Sequence, residues 1–434
     1  MTARFAHTAP VSPGTAGALT ASAATPRVWP GWVTPQDEPR KLRRLVVDVL
    51  VVGAGPAGAT VACGLAEAGL RVTVVEKAQL PRFKPCSGGL PAKSRELIPL
   101  SDDRAEDLFE DVIHRVRLTY RNRDPVVIRS ERPLVYMVRR DRFDHALISE
   151  AARRGARILD GVEVIGVDPT GSRVRVRTTR GEMSARVVVG ADGVHSAVAR
   201  SVGLAPVEKL GFALQAEIPV EPDLLEQWRG TIGGDFGRLP NGIGWVFPKS
   251  DHLSVGLLSF TQQGGWKREE LFTFLDGHNL HYDPRRARVY GHHLPRWHGQ
   301  RTFQHKNVLL LGDAAGIVNP MTGAGLEAAM RSGHIAVDVI KHAFWHGDDL
   351  LDHYSERVRR EICRELLDVR AMAKFFFNFT RICYQLGIKN PAFGQIAARL
   401  LTGAIDYTDV WRELIRTVTV DAGRNLLGGD RRKP

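Results

Sequence analysis

The first regular pattern along the chain is an apolar run, Leu45-Val-Val-Asp-Val-Leu-Val-Val52, which reads as a strand buried on both faces in a parallel sheet. It leads directly into Gly53-Ala-Gly55-Pro56-Ala57-Gly58, then small and apolar residues to Ala68 and Gly69 that predict a helix, then a second buried strand, Val72-Thr-Val-Val75. Strand, glycine turn, helix and strand in that order make a βαβ unit. Two later apolar strands end in acid–glycine turns, Val187-Val-Val-Gly-Ala-Asp192-Gly193 and Asn307-Val-Leu-Leu-Leu-Gly312-Asp313. After the second, Asn319-Pro320-Met-Thr-Gly323-Ala324-Gly325 is expected to open a long small-residue helix to about Ile340.

Between these elements, Trp245-Val-Phe247 and Leu253-Ser-Val-Gly-Leu read as two strands joined by the turn Pro248-Lys249-Ser-Asp. A lysine in such a turn is ordinarily solvated. Residues 346–434 read as a helical C-terminal region, in which Lys374-Phe-Phe-Phe-Asn-Phe379, with Ile382, Tyr384 and Leu386, is aromatic-rich. That segment suits core packing, a cap over a long apolar tunnel, or a face touching a membrane.

Residues 1–36 are rich in Ala, Thr, Pro, Ser and Gly, carry no acid and have no period of 2 or 3.6. Such a composition predicts a disordered extension over residues 1–44, with an organellar transit peptide as the weaker reading. The fold class expected is α/β. A Rossmann-like nucleotide-binding domain over residues 45–345 would be interleaved with an antiparallel-sheet substrate domain drawn from about 95–130 and 205–300, followed by the helical region.

At 434 residues the chain is long enough to bury a large core. Its four cysteines, Cys63, Cys86, Cys363 and Cys383, form no CxxC pair, which points to a reducing cytoplasm. No apolar run approaches the roughly 18 residues that span a bilayer, so the expectation is a cytoplasmic enzyme that can also sit on a membrane surface. Of the net charge of +12, +4 belongs to residues 1–44, which leaves the rest basic. With no nucleic-acid motif, an anionic substrate or lipid surface fits that charge and nucleic acid does not.

The glycine spacing carries the first chemistry. Gly53 would make the tight turn, Gly55 let backbone approach a pyrophosphate, and Gly58 let helix and strand pack closely, with the anion resting on helix N–H groups from Ala57 onward, after Pro56, which has no N–H, opens the first turn. Glu76 ends the second strand where a carboxylate accepts from ribose hydroxyls, with Lys77 beside it. The later motifs extend this into contacts for a longer cofactor, FAD. Asp313, after Gly312, is placed to accept from ribityl hydroxyls, and the helix start around Gly323, Ala324 and Gly325 offers N–H groups to the flavin N1/O2 edge.

Taken with Arg140-Asp-Arg-Phe143-Asp144 and Gly190-Ala-Asp192-Gly193, these motifs resemble the glutathione-reductase-2 class of FAD proteins, which includes aromatic hydroxylases, flavin halogenases and prenyl reductases. By that resemblance Arg140, Asp192 and Gly193 join the cofactor site. Two segments select a branch. Pro81-Arg-Phe-Lys84-Pro85-Cys86-Ser87-Gly88-Gly89 resembles the PxxKPCxGG segment of geranylgeranyl reductases, and Gly244-Trp245-Val-Phe247-Pro248-Lys249 resembles their YxWxFPK segment. Ile243 replaces the usual Tyr and Ser87 the usual Gly, while Leu401-Thr-Gly-Ala-Ile-Asp-Tyr407 is also similar to that family.

The resemblance implies FAD-dependent saturation of double bonds in a geranylgeranyl or related isoprenoid chain, carried on a prenyl diphosphate or prenyl lipid. Trp245 and Phe247 would wall the chain, Cys86 would place the alkene or relay a proton, and Lys249 would anchor a phosphate. The alternative is an FAD monooxygenase or halogenase on a small aromatic, although a halogenase would show GWxWxIP where this chain has Ile243 and Phe247-Pro248-Lys249. There is no second βαβ fingerprint, so the electron donor could be NADPH or ferredoxin. His342 and His346 lack an HExxH context, and no metal site is expected.

Overall fold

The computed structural model describes residues 32–33, 45–204, 210–261, 268–278, 280–297, 299, 302–347, 351–410 and 412–413. Leu45–Val52 lies at the centre of the larger sheet, with Val49, Leu50 and Val51 wholly buried, as an unbroken apolar run requires. It pairs in parallel with Val72–Glu76 on one side and with Gly181–Gly190 on the other. Arg157–Asp160 extends the sheet beyond Val72–Glu76. The strand Gly181–Gly190 divides its outer edge between two partners. Its first half pairs antiparallel with Val174–Thr178, its last three residues in parallel with Val308–Leu310.

Pro56–Glu67 starts with proline at its first turn and ends at Gly69 (φ +81°), where the Leu70 N–H reaches back to Leu65 O at 3.1 Å. It is sandwiched, which explains its small residues. A Cβ built on Gly64 would lie 2.7 Å from Val337, and one on Gly333 would lie 3.0 Å from Thr60, so this helix and Leu326–His346 approach closely. The latter helix begins at Leu326 and not near Asn319. Asn319 Oδ1 accepts from the N–H groups of Met321 and Thr322, and Gly323 takes φ +74°, which ties the expected first turns into a loop.

The second sheet has seven strands in the order Arg288–Pro295, Leu210–Ile218, Leu253–Ser259, Gly242–Pro248, Thr231–Phe236, Arg115–Tyr120 and Arg123–Arg129. It is antiparallel except that Thr231–Phe236 runs parallel to Arg115–Tyr120. A small third sheet joins Gly89–Pro91, Val135–Val138 and Phe109–Ile113. Residues 353–401 form successive helices: Tyr354, Val358, Ile362 and Leu366 are buried in the core of the larger sheet, and Phe376, Tyr384 and Ile388 are buried with Leu118, Ile128 and Ile232 of the second sheet and its neighbours.

Most of the expected N-terminal extension lies outside the described residues. Trp32–Val33 is the exception, pairing in parallel with Ile158 and Leu159 at the edge of the larger sheet. Among the described residues no helix is long and apolar enough to cross a membrane.

Candidate functional site

The turn after Leu45–Val52 is built by contact as much as by conformation. Gly53 takes φ +104°, and a Cβ there would sit 2.4 Å from Ala191 O. A Cβ on Gly58 would sit 2.0 Å from Gly53 O and 3.2 Å from Val51. Gly55 differs from both. Around it only the guanidinium tips of Arg82 and Arg140 come near, 3.7 and 3.9 Å from where its Cβ would be. No side chain caps the helix that follows, and its first turn holds no acid. Open N–H groups, a positive helix end and two arginines fit a pyrophosphate, so the residues present suit the dinucleotide part of FAD.

Glu76 is buried at the end of its strand, where it accepts from the N–H of Ala54 (2.9 Å) and of Ala78 (3.1 Å) and pairs with Arg82 at 3.3 Å. The carboxylate thus braces the glycine turn from the end of its strand. Lys77, next to it, is exposed. Arg140 starts the helix Arg140–Arg153 and is buried, with both its Nε and Nη2 donating to Asp144 at 2.7 Å. Burial works against its charge, and Asp144 and the Cys86 sulfur hold it. Arg82 Nη1 shares the same Asp144 at 3.1 Å.

Asp192 and Gly193 stand behind this turn. The Asp192 carboxylate accepts from Ser196 Oγ (2.6 Å) and from the N–H groups of Ala197 (2.7 Å) and Val198 (3.2 Å), so it caps a short helix, and burial pushes its pKa up. Gly312 (φ +53°) and Asp313 follow the strand Val308–Leu310, and Asp313 lies 3.4 Å from Lys84 Nζ. A Cβ on Gly325 would meet Asp313 Oδ1 at 3.1 Å, and one on Gly323 would meet Leu258 at 2.5 Å, so Gly323-Ala324-Gly325 threads between the two sheets. Asn319, at the head of that loop, donates to the Tyr407 hydroxyl (3.1 Å), which ties the C-terminal segment to the expected flavin edge.

Cys86 is half-buried. The Gly88 N–H points to its sulfur at 3.4 Å, and Gln215 Nε2 reaches its carbonyl at 3.4 Å. Its loop abuts the hairpin strand Gly242–Pro248, where a Cβ on Gly89 would lie 2.9 Å from the Phe247 ring. Trp245 and Phe247 share one face of that strand, with Leu258, Leu294 and Ala213 around them, and together they form a continuous apolar wall beside the cysteine loop. Trp245 is 7 % exposed, its ring lies over Gly256, and its Nε1 has no partner.

Lys249 corrects the sequence reading. It is 2 % exposed, neither solvated nor available to anchor a phosphate, and its Nζ donates to Ser87 O at 2.6 Å and to Val138 O at 2.9 Å. It clamps the cysteine loop from behind. Burial pushes its pKa down to about 8. Below pH 8 both folded and unfolded states are protonated; between 8 and the usual lysine value the folded state sheds a proton that the unfolded state keeps, so stability from this group rises with pH. The neutral amine still has two N–H groups for the two carbonyls. Denaturant titrations at rising pH should show wild type gaining about 1–3 kcal/mol relative to Lys249→Met above pH 8. A pH-independent difference would show that this lysine is not a buried charge.

Several site residues have roles that no sequence signal announced. Arg82 and Asp144 come from separate elements. Gln215, buried on Leu210–Ile218, bonds Glu217, which in turn pairs with His252 at 2.8 Å. His292 lies among Lys84, Asp313 and Arg140, and burial, with help from Lys84, pushes its pKa down to about 4, so it is neutral at physiological pH. Alternation along Arg288–Pro295 places it on the same sheet face as Gln215. The described residues hold no cluster able to bind a metal.

The FAD binding domain model matches residues 46–228 and 279–369. Digeranylgeranylglycerophospholipid reductase 1 of Methanopyrus kandleri is 31 % identical over 335 residues, covering 72 % of this chain and 86 % of the relative. The chloroplastic geranylgeranyl diphosphate reductase of Arabidopsis thaliana is 29 % identical over 350 residues, covering 75 % and 71 %. Among solved structures, a geranylgeranyl bacteriochlorophyll reductase-like protein from Thermoplasma acidophilum shares the fold at TM-score 0.70, with 24 % identity over 86 % of this chain and 100 % of that one. A flavin-dependent brominase and a probable FAD-dependent monooxygenase share it too, so fold alone does not select the chemistry. The glycine cradle, the family match and the identity to two prenyl reductases together place this chain in the geranylgeranyl reductase family of FAD-binding oxidoreductases.

Proposed function

We propose that this protein saturates carbon–carbon double bonds of a geranylgeranyl or related isoprenoid chain. The observation that carries the reading is the apolar wall of Trp245, Phe247, Leu258 and Leu294 set directly beside the Cys86 loop. Gly53–Gly58, Glu76, Arg140 and Asp313 would hold FAD, which when reduced would supply hydride. An isolated alkene has no carbonyl to polarise, so the chain must be held and its developing positive charge met by the protein. The faces of Trp245 and Phe247 do both: they bury the isoprenoid and offer π density to a tertiary carbocation-like centre. Cys86, pinned by Arg140 and the Gly88 N–H, positions the alkene; a thiol is a weak acid toward carbon, and the second hydrogen comes from water as a proton.

Purified protein reduced with dithionite under strict anaerobiosis should convert geranylgeranyl diphosphate to products heavier by two hydrogens per bond, read by mass spectrometry. Turnover that requires oxygen and leaves the prenyl chain unchanged would favour the monooxygenase or halogenase reading. Replacing dithionite with NADPH or with reduced ferredoxin then identifies the donor.

A further inference from the structure

The C-terminal helices carry an apolar ridge on their outer side. Leu367, Phe375, Phe379, Ile382 and Leu386 are 41, 53, 49, 57 and 75 % exposed, and they make up five of the ten exposed large apolar side chains among the described residues. Half of those side chains therefore fall within twenty residues, and the Phe375 and Phe379 rings meet with centroids 5.4 Å apart, which marks a patch more than scatter. The ridge is not a fraying end. Phe376 packs against Phe236 with ring centroids 4.9 Å apart, and the Tyr384 hydroxyl donates to Leu118 O and Asp124 O, so the inner side of the segment is fixed to the second sheet.

Charge indicates what covers it. From Val369 to Ile405 the sequence has no acidic residue and five cations, and Lys374 and Arg381 are exposed between the apolar ridge positions. Asp368 borders the ridge beside Leu367, and Asp124, near Leu386, is paired with Lys389 at 3.0 Å, which leaves Lys374 and Arg381 as the charges along the stretch from Lys374 to Leu386; apolar and aromatic side chains interleaved with cations complement an anionic bilayer surface. The ridge is also continuous with the interior. Phe376 and Phe377, its neighbours in sequence, pack in the same cluster as Phe236, Met321 and Phe247.

We propose that the ridge from Leu367 to Leu386 docks on an anionic membrane surface and that the prenyl chain passes from the lipid phase past Phe377 to the Phe247 wall. The docking stands without the prenyl-reductase reading; the hand-over rests on it. Full-length protein should float with vesicles of mixed phosphatidylcholine and phosphatidylglycerol and much less with phosphatidylcholine alone. Phe375→Ser/Phe379→Ser/Leu386→Ser should lower the bound-to-free ratio by about tenfold or more, and Lys374→Glu/Arg381→Glu should lower it on the anionic vesicles only. With unchanged flavin content and melting temperature, the serine variant should reduce detergent-dispersed geranylgeranyl diphosphate at the wild-type rate, yet act about tenfold more slowly on a prenyl lipid embedded in vesicles.

Wild type that stays unbound with both vesicle types, or a serine variant that floats as well as wild type, overturns the docking. So does a serine variant whose only change is conversion of a dimer to a monomer, which would make the ridge an interface between copies. Failure of wild type to reduce dispersed substrate overturns the prenyl-reductase reading and, with it, the hand-over, while leaving the flotation result to decide the docking.

Discussion

Gly58→Val should give a protein without bound flavin and with a melting temperature well below wild type. Even the first added carbon would sit 2.0 Å from Gly53 O, backbone that has no room to yield because Gly53 itself is packed on Ala191. The helix must back away from its strand, at a cost of about 1–3 kcal/mol or more, and the N–H groups that would meet the pyrophosphate move with it. Gly55→Ala should behave differently. Its methyl would make only ordinary contacts within the protein, at 3.7 Å or longer, and its backbone is extended, so stability should change by less than about 1 kcal/mol. The methyl projects into the space where the phosphate must come, so flavin should be lost from a folded protein. Gly69→Ala, at φ +81° with nothing within 4 Å, is the control: about 1–2 kcal/mol of left-handed strain and full flavin content. Absorbance near the flavin maximum and thermal melts separate the three. Retained flavin in Gly55→Ala would contradict the cradle assignment.

Trp245→Ala should cost about 3–5 kcal/mol, the range for emptying a large aromatic from a core, because the ring is buried among Ala213, Leu258 and Phe260. In the proposed reaction it should also weaken binding of the prenyl chain and slow hydride transfer, since the wall and its π face go together. Stability loss alone does not test that role. Gly256→Ala does, because its Cβ would lie 2.1 Å from Trp245 Cζ2 and push the ring aside without removing it, although the same Cβ lies 2.7 Å from Leu214 O and so lowers stability as well. That variant should keep its FAD and raise the KM for prenyl substrate. Cys86→Ala should also keep FAD bound and reducible while altering the rate or the number of bonds saturated. Unchanged kinetics and product pattern in Trp245→Ala, Gly256→Ala and Cys86→Ala alike would remove the substrate pocket from this wall.

The cradle was legible in the sequence because its chemistry is local: three glycines, one turn and an acid at the end of the next strand lie within Gly53–Glu76. Asp313 and the Cys86 and Trp245 segments were legible through their motifs. What the sequence hid depends on packing between distant elements. Lys249 reads as a turn lysine because nothing nearby in sequence shows that Ser87 and Val138 will close over it. Arg82 and Asp144 stand inside two of the motifs, but their pairing, and the place of His292, appear only when the fold brings Pro81–Phe83, Arg140–Arg153 and Arg288–Pro295 together. Asp192 shows the reverse. Its motif pointed at the cofactor, while its carboxylate is spent on capping Ala197–Ser201.

The divided edge of Gly181–Gly190 bears on how the protein comes to be made. The cofactor sheet is stitched from pieces near residues 45, 72, 157, 181 and 308, and its last parallel strand is only Val308–Leu310. Closing loops of that length before their contacts form is entropically slow, so this topology belongs to the slow-folding, high-contact-order class. During synthesis the glycine cradle emerges early, yet the strand that carries Asp313 to the site leaves the ribosome more than 200 residues after it. Flavin capture therefore waits until the last fifth of the chain is being made, or later. Nascent chains shorter than about residue 350 would present an unfinished edge of Gly181–Gly190, the kind of exposed strand that chaperones bind and that aggregation recruits.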